Sequence, residues 1–188
     1  MTRDEALVLV HEHAKNPNMV SHMVATEAIM GALARRLDGD ETQWRLAGLL
    51  HDLDAEQTAA TMEVHGLRTA EWLRAAGLGG GPSEEAVLHA ILAHNPANGS
   101  TIDTPMDRAL YSCDPLTGLV TAAALIRPEK KLALVELKSL KKRFKEPSFA
   151  KGARREDILT CTELGIELDE FLAIGLDAMK EVADDLGL

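Results

Sequence analysis

The sequence predicts an all-α fold, and three observations carry that expectation. Apolar residues recur at helical spacing along most of the 188 residues, and no segment alternates at period two over a useful length. The core must be aliphatic, since aromatic residues are only 3% of the chain, whereas sheets favour β-branched and aromatic side chains. Capping and breaking residues divide the pattern into pieces of helix length. One domain is expected over residues 1–188, because this length can bury a sizeable core but is short for two.

Thr2 with Glu5 has the form of a capping box, and Ala6, Leu7, Val10 and Ala14 follow at helical spacing until Asn16-Pro17-Asn18. Ser21 is read as the cap of a second helix, in which His22, Thr26, Ile29, Leu33 and Leu37 share one face. Asp38-Gly39-Asp40 ends it. Asp40 with Gln43 opens a third helix through Trp44, Leu46, Ala47 and Leu50 to His51-Asp52, with Asp54 just beyond. Met62 to Ala76 is expected as one further helix that starts near His65-Gly66, and Gly77 to Pro82 breaks the chain. Ser83 is expected to cap a helix carrying His89 and His94 and ending before Pro96. After a loop from Ala97 to Thr104, Thr104-Pro105 starts a long helix reaching Ile126, with Asp114 on its apolar side. Pro128 marks a boundary. Two short helices, Glu129 to Lys145 and Ser148 to Leu159, and an amphipathic helix, Asp169 to Leu186, complete the expectation.

Charge narrows the function classes. The formal net charge of −10 argues against a nucleic-acid polymer or an anionic membrane surface as partner. Residues 127–155 depart from the average, with eleven Lys or Arg against three Glu. The longest nearly apolar run, Leu119 to Ile126, is far short of the roughly 20 residues of a membrane span. The acidic start Met-Thr-Arg-Asp-Glu does not read as a signal peptide, and Cys113 and Cys161 lack CxxC spacing. A cytoplasmic protein with reduced thiols is expected.

The chemistry centres on Leu49-Leu50-His51-Asp52, where an imidazole and a carboxylate close a run apolar enough to be buried. Buried groups of this kind are paired with each other or hold a cation. His22, His51, Asp52 and Asp114 form a candidate ligand set for one ion, of a type suited to iron, manganese, zinc or related divalent metals. A second ion would draw on His65 and on His89 or His94, with Asp52 between the two ions. His89 and His94 are five residues apart, which puts them about 140° apart on a helix, so one ion cannot readily take both.

In these residues the chain resembles the HD-domain superfamily of metal-dependent phosphohydrolases. The likeness runs over about residues 20–120 through His22, Leu49-Leu50-His51-Asp52, His65-Gly66, Ala90-Ile91-Leu92-Ala93-His94 and Asp114, and the two extra histidines look like its HDIG-like two-metal branch. It implies an HD-type helical bundle with a basic helical extension over about residues 127–188. It also implies one or two divalent ions (iron, manganese, zinc, cobalt, nickel or magnesium) as cofactor. His22, His51, Asp52 and Asp114 would hold one ion, and Asp52, His65 and His94 the other. Asn95 stands where many relatives have a second His, and the Gly-Tyr-Pro signature of cyclic di-GMP enzymes is absent.

The implied reaction is hydrolysis of a phosphate ester or anhydride of a nucleotide or similar small molecule. Paired ions roughly 3.5–4 Å apart would lower the pKa of a water and clamp phosphoryl oxygens. Asp52 and Asp54 are the candidate catalytic carboxylates, Asp54 by holding a metal-bound water or the substrate. Lys138, Lys141, Lys142 and Arg143 are the candidate phosphate-binding residues, with His89 and Asn95 beside them. Two alternatives use the same residues: a diiron oxygenase, and a non-catalytic sensor of a phosphorylated ligand.

Overall fold

The computed structural model describes residues 1–188 and contains helices and turns with no strand. Helix α1 (Arg3–His13) starts on the expected capping box: Glu5 N donates to Thr2 Oγ1 at 3.3 Å and Thr2 N to Glu5 Oε2 at 2.7 Å. Helix α2 (Pro17–Arg36) starts earlier than Ser21. Asn16 accepts from Asn18 N at 3.0 Å, and Pro17 takes the first helical position, where its missing N–H costs nothing. His22 therefore sits inside the helix rather than at its tip.

Helix α3 (Glu41–Leu50) is capped by Asp40, which accepts from Thr42 N and Gln43 N. It lies very close to α2. A Cβ on Gly48 would stand 2.8 Å from Thr26 O and 2.9 Å from Glu27 N, so glycine permits the approach that brings the end of α3 beside His22.

The helix expected from Met62 to Ala76 is interrupted. After the short α4 (Ala55–Thr58) comes a 3₁₀ turn, Met62–Val64, and α5 spans only Leu67–Ala75. His65 is extended (ψ 130°) and Gly66 has φ +87°, a left-handed conformation that glycine adopts without strain. The break lets Asp54 accept from Gly66 N at 2.9 Å and Thr69 N at 3.3 Å, two donors at the start of α5.

Helix α6 (Pro82–Ala93) follows Gly81 rather than Ser83, and α7 (Pro105–Leu125) begins on a capping box of Thr104 with Asp107. The basic segment holds less helix than expected: a turn at Leu132–Leu134, α8 (Leu137–Phe144) and α9 (Arg155–Leu159). Between α8 and α9 the chain is tied down by Arg155, which donates to the carbonyls of Arg143, Phe144, Phe149, Ala150 and Ala153. The last expected helix splits at Val182 into α10 (Leu168–Glu181) and α11 (Ala183–Leu186).

Helix α2 packs against α3, α7 and α10, while α7 also meets α6, α8 and α9. One core of 45 buried residues runs from Ala6 in α1 to Met179 in α10. It includes Ile158 and Phe171, so the extension shares the core of the preceding helices. No helix is long and apolar enough to cross a membrane.

Candidate metal centre

Two histidines are presented by the same device. His51 and His94 each follow an aliphatic run at the C-terminal end of a helix, α3 and α6, and each ring turns back on its own helix. His51 Nδ1 donates to Gly48 O at 2.9 Å, and His94 Nδ1 donates to Ile91 O. The carbonyls used are among those a helix end leaves without partners. Each bond fixes the tautomer and aims Nε2 into the interior.

His22 and His65 are fixed the same way by side chains. Thr117 Oγ1 donates to Asp114 O at 2.8 Å, so its lone pair accepts from His22 Nδ1, also at 2.8 Å. His65 Nδ1 donates to Asp54 Oδ1 at 2.8 Å and to Thr58 Oγ1 at 3.0 Å, while Asn95 and Asn98 Nδ2 hold the His65 carbonyl at 3.1 and 3.0 Å. All four Nδ1 atoms are thus committed as donors. Four Nε2 atoms are left facing the interior of the cluster.

They fall into two groups with Asp52 between them. His22 Nε2 lies 3.2 Å from His51 Nε2, 3.1 Å from Asp114 Oδ1 and 3.4 Å from Asp52 Oδ2, and His51 Nε2 lies 3.5 Å from the same Asp52 oxygen. On the other side, His65 Nε2 is 3.0 Å from His94 Nε2, and the two are 3.1 and 3.4 Å from Asp52 Oδ1. Donors about 2.1 Å from a common ion stand roughly 3.0–3.4 Å apart in octahedral or tetrahedral arrangements. Most of the separations fit that range; His51 Nε2 stands slightly beyond it, 3.5 Å from Asp52 Oδ2 and 3.8 Å from Asp114 Oδ1. His22, His51 and Asp114, and likewise His51, Asp52 and His94, offer ligand atoms within 4.8 Å of one another and can hold a divalent cation.

Electrostatics agree with the geometry. Burial disfavours the charged form of His22, but hydrogen bonds to Asp114 and Asp52 outweigh it and raise its pKa to about 10. His65 is likewise raised to about 10 against burial, by hydrogen bonds to Asp52 and Asp54. Burial would raise Asp52 and Asp114, yet both lie well below the usual carboxylate range. Asp52 is held there by the charge at His51 and by hydrogen bonds from His22, His65 and His94, and Asp114 by His22 and His51. The carboxylates therefore demand positive charge at the Nε2 positions, as protons or as metal.

One side of the cluster is sealed and the other open. His51 is fully buried and the His65 and His94 side chains are 8% and 3% exposed, while those of His22 and Asp114 are 22% and 33% exposed. The open side adjoins a cleft of about 530 Å³ between α2, α7 and residues 186–188, whose wall includes His22 and Thr117.

The remaining sequence candidates lie elsewhere or do something else. Asp54 is fully buried and its carboxylate is spent on His65, Gly66 and Thr69, so it positions His65 instead of meeting water or substrate. Asn95 is also inward, donating to Met62 O and His65 O. His89 points away from His94, with Nδ1 3.0 Å from Asp107 Oδ2 and Nε2 3.4 Å from Asp103 Oδ2. On α8, Lys141 pairs with Asp169 and Arg143 with Glu146, and Lys138 and Lys142 are exposed. None of these four cations lines the cleft beside His22, because Leu140 and Phe144 dock α8 on α7 and α10 with the charges outward. Thr117 and Asn98 were not singled out from the sequence. The only signal was their spacing, three residues after Asp114 and after Asn95.

The family model of the HD domain matches residues 19–135, a span that contains every residue of the cluster and more than half of the chain. No curated protein and no solved structure matches it. A His/Asp cluster able to hold a metal, on a helical scaffold within the matched span, leads to one conclusion: the chain belongs to the HD domain family, in the superfamily of metal-dependent phosphohydrolases.

Proposed function

We propose that this protein hydrolyses a phosphate ester or anhydride of a small molecule, nucleotides among them, with two divalent ions held by the cluster. The observation that carries the proposal is the division of Asp52: one carboxylate oxygen faces His22 and His51, the other His65 and His94. His22, His51, Asp114 and Asp52 would hold the first ion, and Asp52, His65 and His94 the second. Bound there, the ions would supply a Lewis acid for the phosphoryl oxygens and a hydroxide near neutral pH.

The chain's own residues set the rest. Asp52 spans the centre and keeps the two histidine pairs in register. Thr117 orients His22, and Asp54 with Thr58 orients His65, so that each Nε2 is available without rotating a ring. The sealed face at His51, His65 and His94 excludes water, and the exposed edge of Asp114 leaves one direction of approach for substrate. A cytoplasmic location accords with two buried free thiols, Cys113 and Cys161.

The test is metal analysis of protein purified without chelator, followed by phosphate release from a panel of esters by wild type and His51→Ala. One to two ions per chain are expected, with activity lost in the variant. Equal turnover by both proteins would refute the assignment. Oxygen uptake with a polyol would assign a diiron oxygenase instead, and ligand binding without turnover in Mn²⁺, Fe²⁺ or Co²⁺ a sensor.

A further inference from the structure

A cleft lies beside His22 and Thr117, next to the exposed edge of the cluster. Apart from His22, its wall carries no titratable side chain. Asn18, Ser21 and Thr121 offer amide and hydroxyl groups, while Ala122, Leu125 and Leu186 offer apolar surface. In a chain of net charge −10, a second phosphate lodged here would lose hydration with no cation to receive it.

Gly118 lies on the same wall, well inside α7. Glycine inside a helix is destabilising relative to alanine, so each instance calls for a reason. Each of the other three helix-interior glycines faces a neighbour within the protein: at Gly48 a Cβ would stand 2.8 Å from the backbone at Thr26 O, and at Gly31 and Gly175 it would meet the side chains of Arg45 at 2.6 Å and Leu116 at 2.4 Å. At Gly118 a Cβ would meet no atom within 4 Å. The space that this glycine leaves clear belongs to the cleft, one residue from the threonine that orients His22.

We propose that the cleft receives the uncharged alcohol of a phosphate monoester whose charge is confined to the phosphoryl group, and that Gly118 determines specificity by keeping the wall clear for that alcohol. This rests on the phosphohydrolase reading. In the reaction, water adds its oxygen to phosphorus, the bond from phosphorus to the alcohol oxygen breaks, and that oxygen takes a proton. The products are inorganic phosphate and the neutral alcohol.

The test uses the Mn²⁺-loaded protein as wild type, Gly118→Ala and Gly118→Phe, with metal content measured in each. Hydrolysis of 1-naphthyl phosphate and of ATP is compared. Calorimetry follows binding of inorganic phosphate, ATP and the non-hydrolysable 1-naphthylmethylphosphonate. Wild type is expected to favour the naphthyl ligands over ATP by about tenfold or more, and Gly118→Phe to bind the phosphonate about tenfold more weakly with phosphate affinity and metal content unchanged. Gly118→Ala should fold at least as well as wild type, with a smaller loss, which keeps the proposal testable if the larger variant misfolds. Equal phosphonate binding by all three proteins, or tighter binding of ATP, overturns the proposal. Loss of phosphate affinity in Gly118→Phe would place Gly118 at the metal end and also overturn it. Hydrolysis of neither compound alongside glycine-dependent phosphonate binding would instead sink the phosphohydrolase reading.

Discussion

Asp54→Asn separates the work of the two halves of the metal centre. The Asp54 carboxylate accepts from His65 Nδ1 with one oxygen and from Gly66 N and Thr69 N with the other, all within a fully buried pocket. An asparagine keeps the shape but has a single acceptor oxygen. It can serve His65, leaving its amide N–H groups against the backbone donors, or serve the backbone and face His65 Nδ1–H with another donor. Either way about one charge-assisted hydrogen bond is lost and a donor is left unpaired, a destabilisation of about 2–4 kcal/mol. Removing the partner that orients a metal-bound histidine typically lowers metal affinity about 10–100-fold, or about 1.4–2.7 kcal/mol. That loss should fall on the ion proposed at His65 and His94. At the other proposed site the histidines, His22 and His51, are oriented by Thr117 and Gly48 instead, so an ion there should keep its affinity within about threefold. Calorimetric titration with Mn²⁺ or Co²⁺, which resolves a tight and a weak step, reads both, and urea unfolding of the metal-free protein reads the stability. Equal weakening of both steps, or no weakening of either, would show that Asp54 does not act through His65.

Two further outcomes follow from the packing of α3 and from the charges of the cluster. Gly48→Ala puts a Cβ 2.8 Å from the Thr26 carbonyl oxygen, so α3 must move off α2. Overpacking of about 1–3 kcal/mol, less the helix propensity gained by alanine, leaves a net destabilisation of about 1–2 kcal/mol. Thermal unfolding measures it, and because His51 ends α3, metal content should fall as well. The stability of metal-free protein should also depend on pH in a defined direction. Asp52, Asp54 and Asp114 are held low when folded, so stability is lost as pH falls below about 4, where the unfolded chain takes up protons first. His22 and His65, raised to about 10, contribute fully below about 6.5 and lose that contribution as pH climbs toward 10. Bound metal displaces those protons, so the gap in Tm between loaded and metal-free protein should widen from pH 6.5 to 9. A metal-free Tm that rises over that interval would contradict the charge balance assigned to the cluster.

Much of the scaffold was legible because it is written in local chemistry. The Thr2 and Asp40 caps and the Thr104-Pro105 start act within one turn of helix, so the residues that form them are adjacent in sequence. The misplaced boundaries have the opposite character. Nothing between Met62 and Ala76 reveals that a carboxylate eight or more residues earlier will take the Gly66 and Thr69 amides and hold His65 out of the helix. The basic segment lost helix for a similar reason. Arg155 satisfies five carbonyls from residues 143–153, and a helix through that loop would need those same acceptors.

In the site, the donors that face inward were legible and their supporters were not, and the difference is physical. A histidine on an apolar face, or an aspartate within a buried stripe, contradicts its surroundings, and the contradiction is visible in one dimension. A partner such as Asp54, Asn95 or Thr117 does not stand out, because a polar residue near a helix end or beside a charged one is ordinary until its hydrogen bond is seen. Proximity in sequence therefore groups Asp54 with the catalytic carboxylates and Asn95 with the substrate contacts, whereas their atoms are consumed in holding His65. The lysines of α8 misled for the converse reason. A run of positive charge suggests a phosphate, but charge acts through distance, and the apolar side of α8, Leu140 and Phe144, decides which way the lysines face. With those cations directed to Asp169 and to solvent, the charge available to a phosphoryl group is whatever the four imidazoles and two carboxylates bind between them. On the proposed reading, the number of ions held there also limits how many negative charges a substrate can carry.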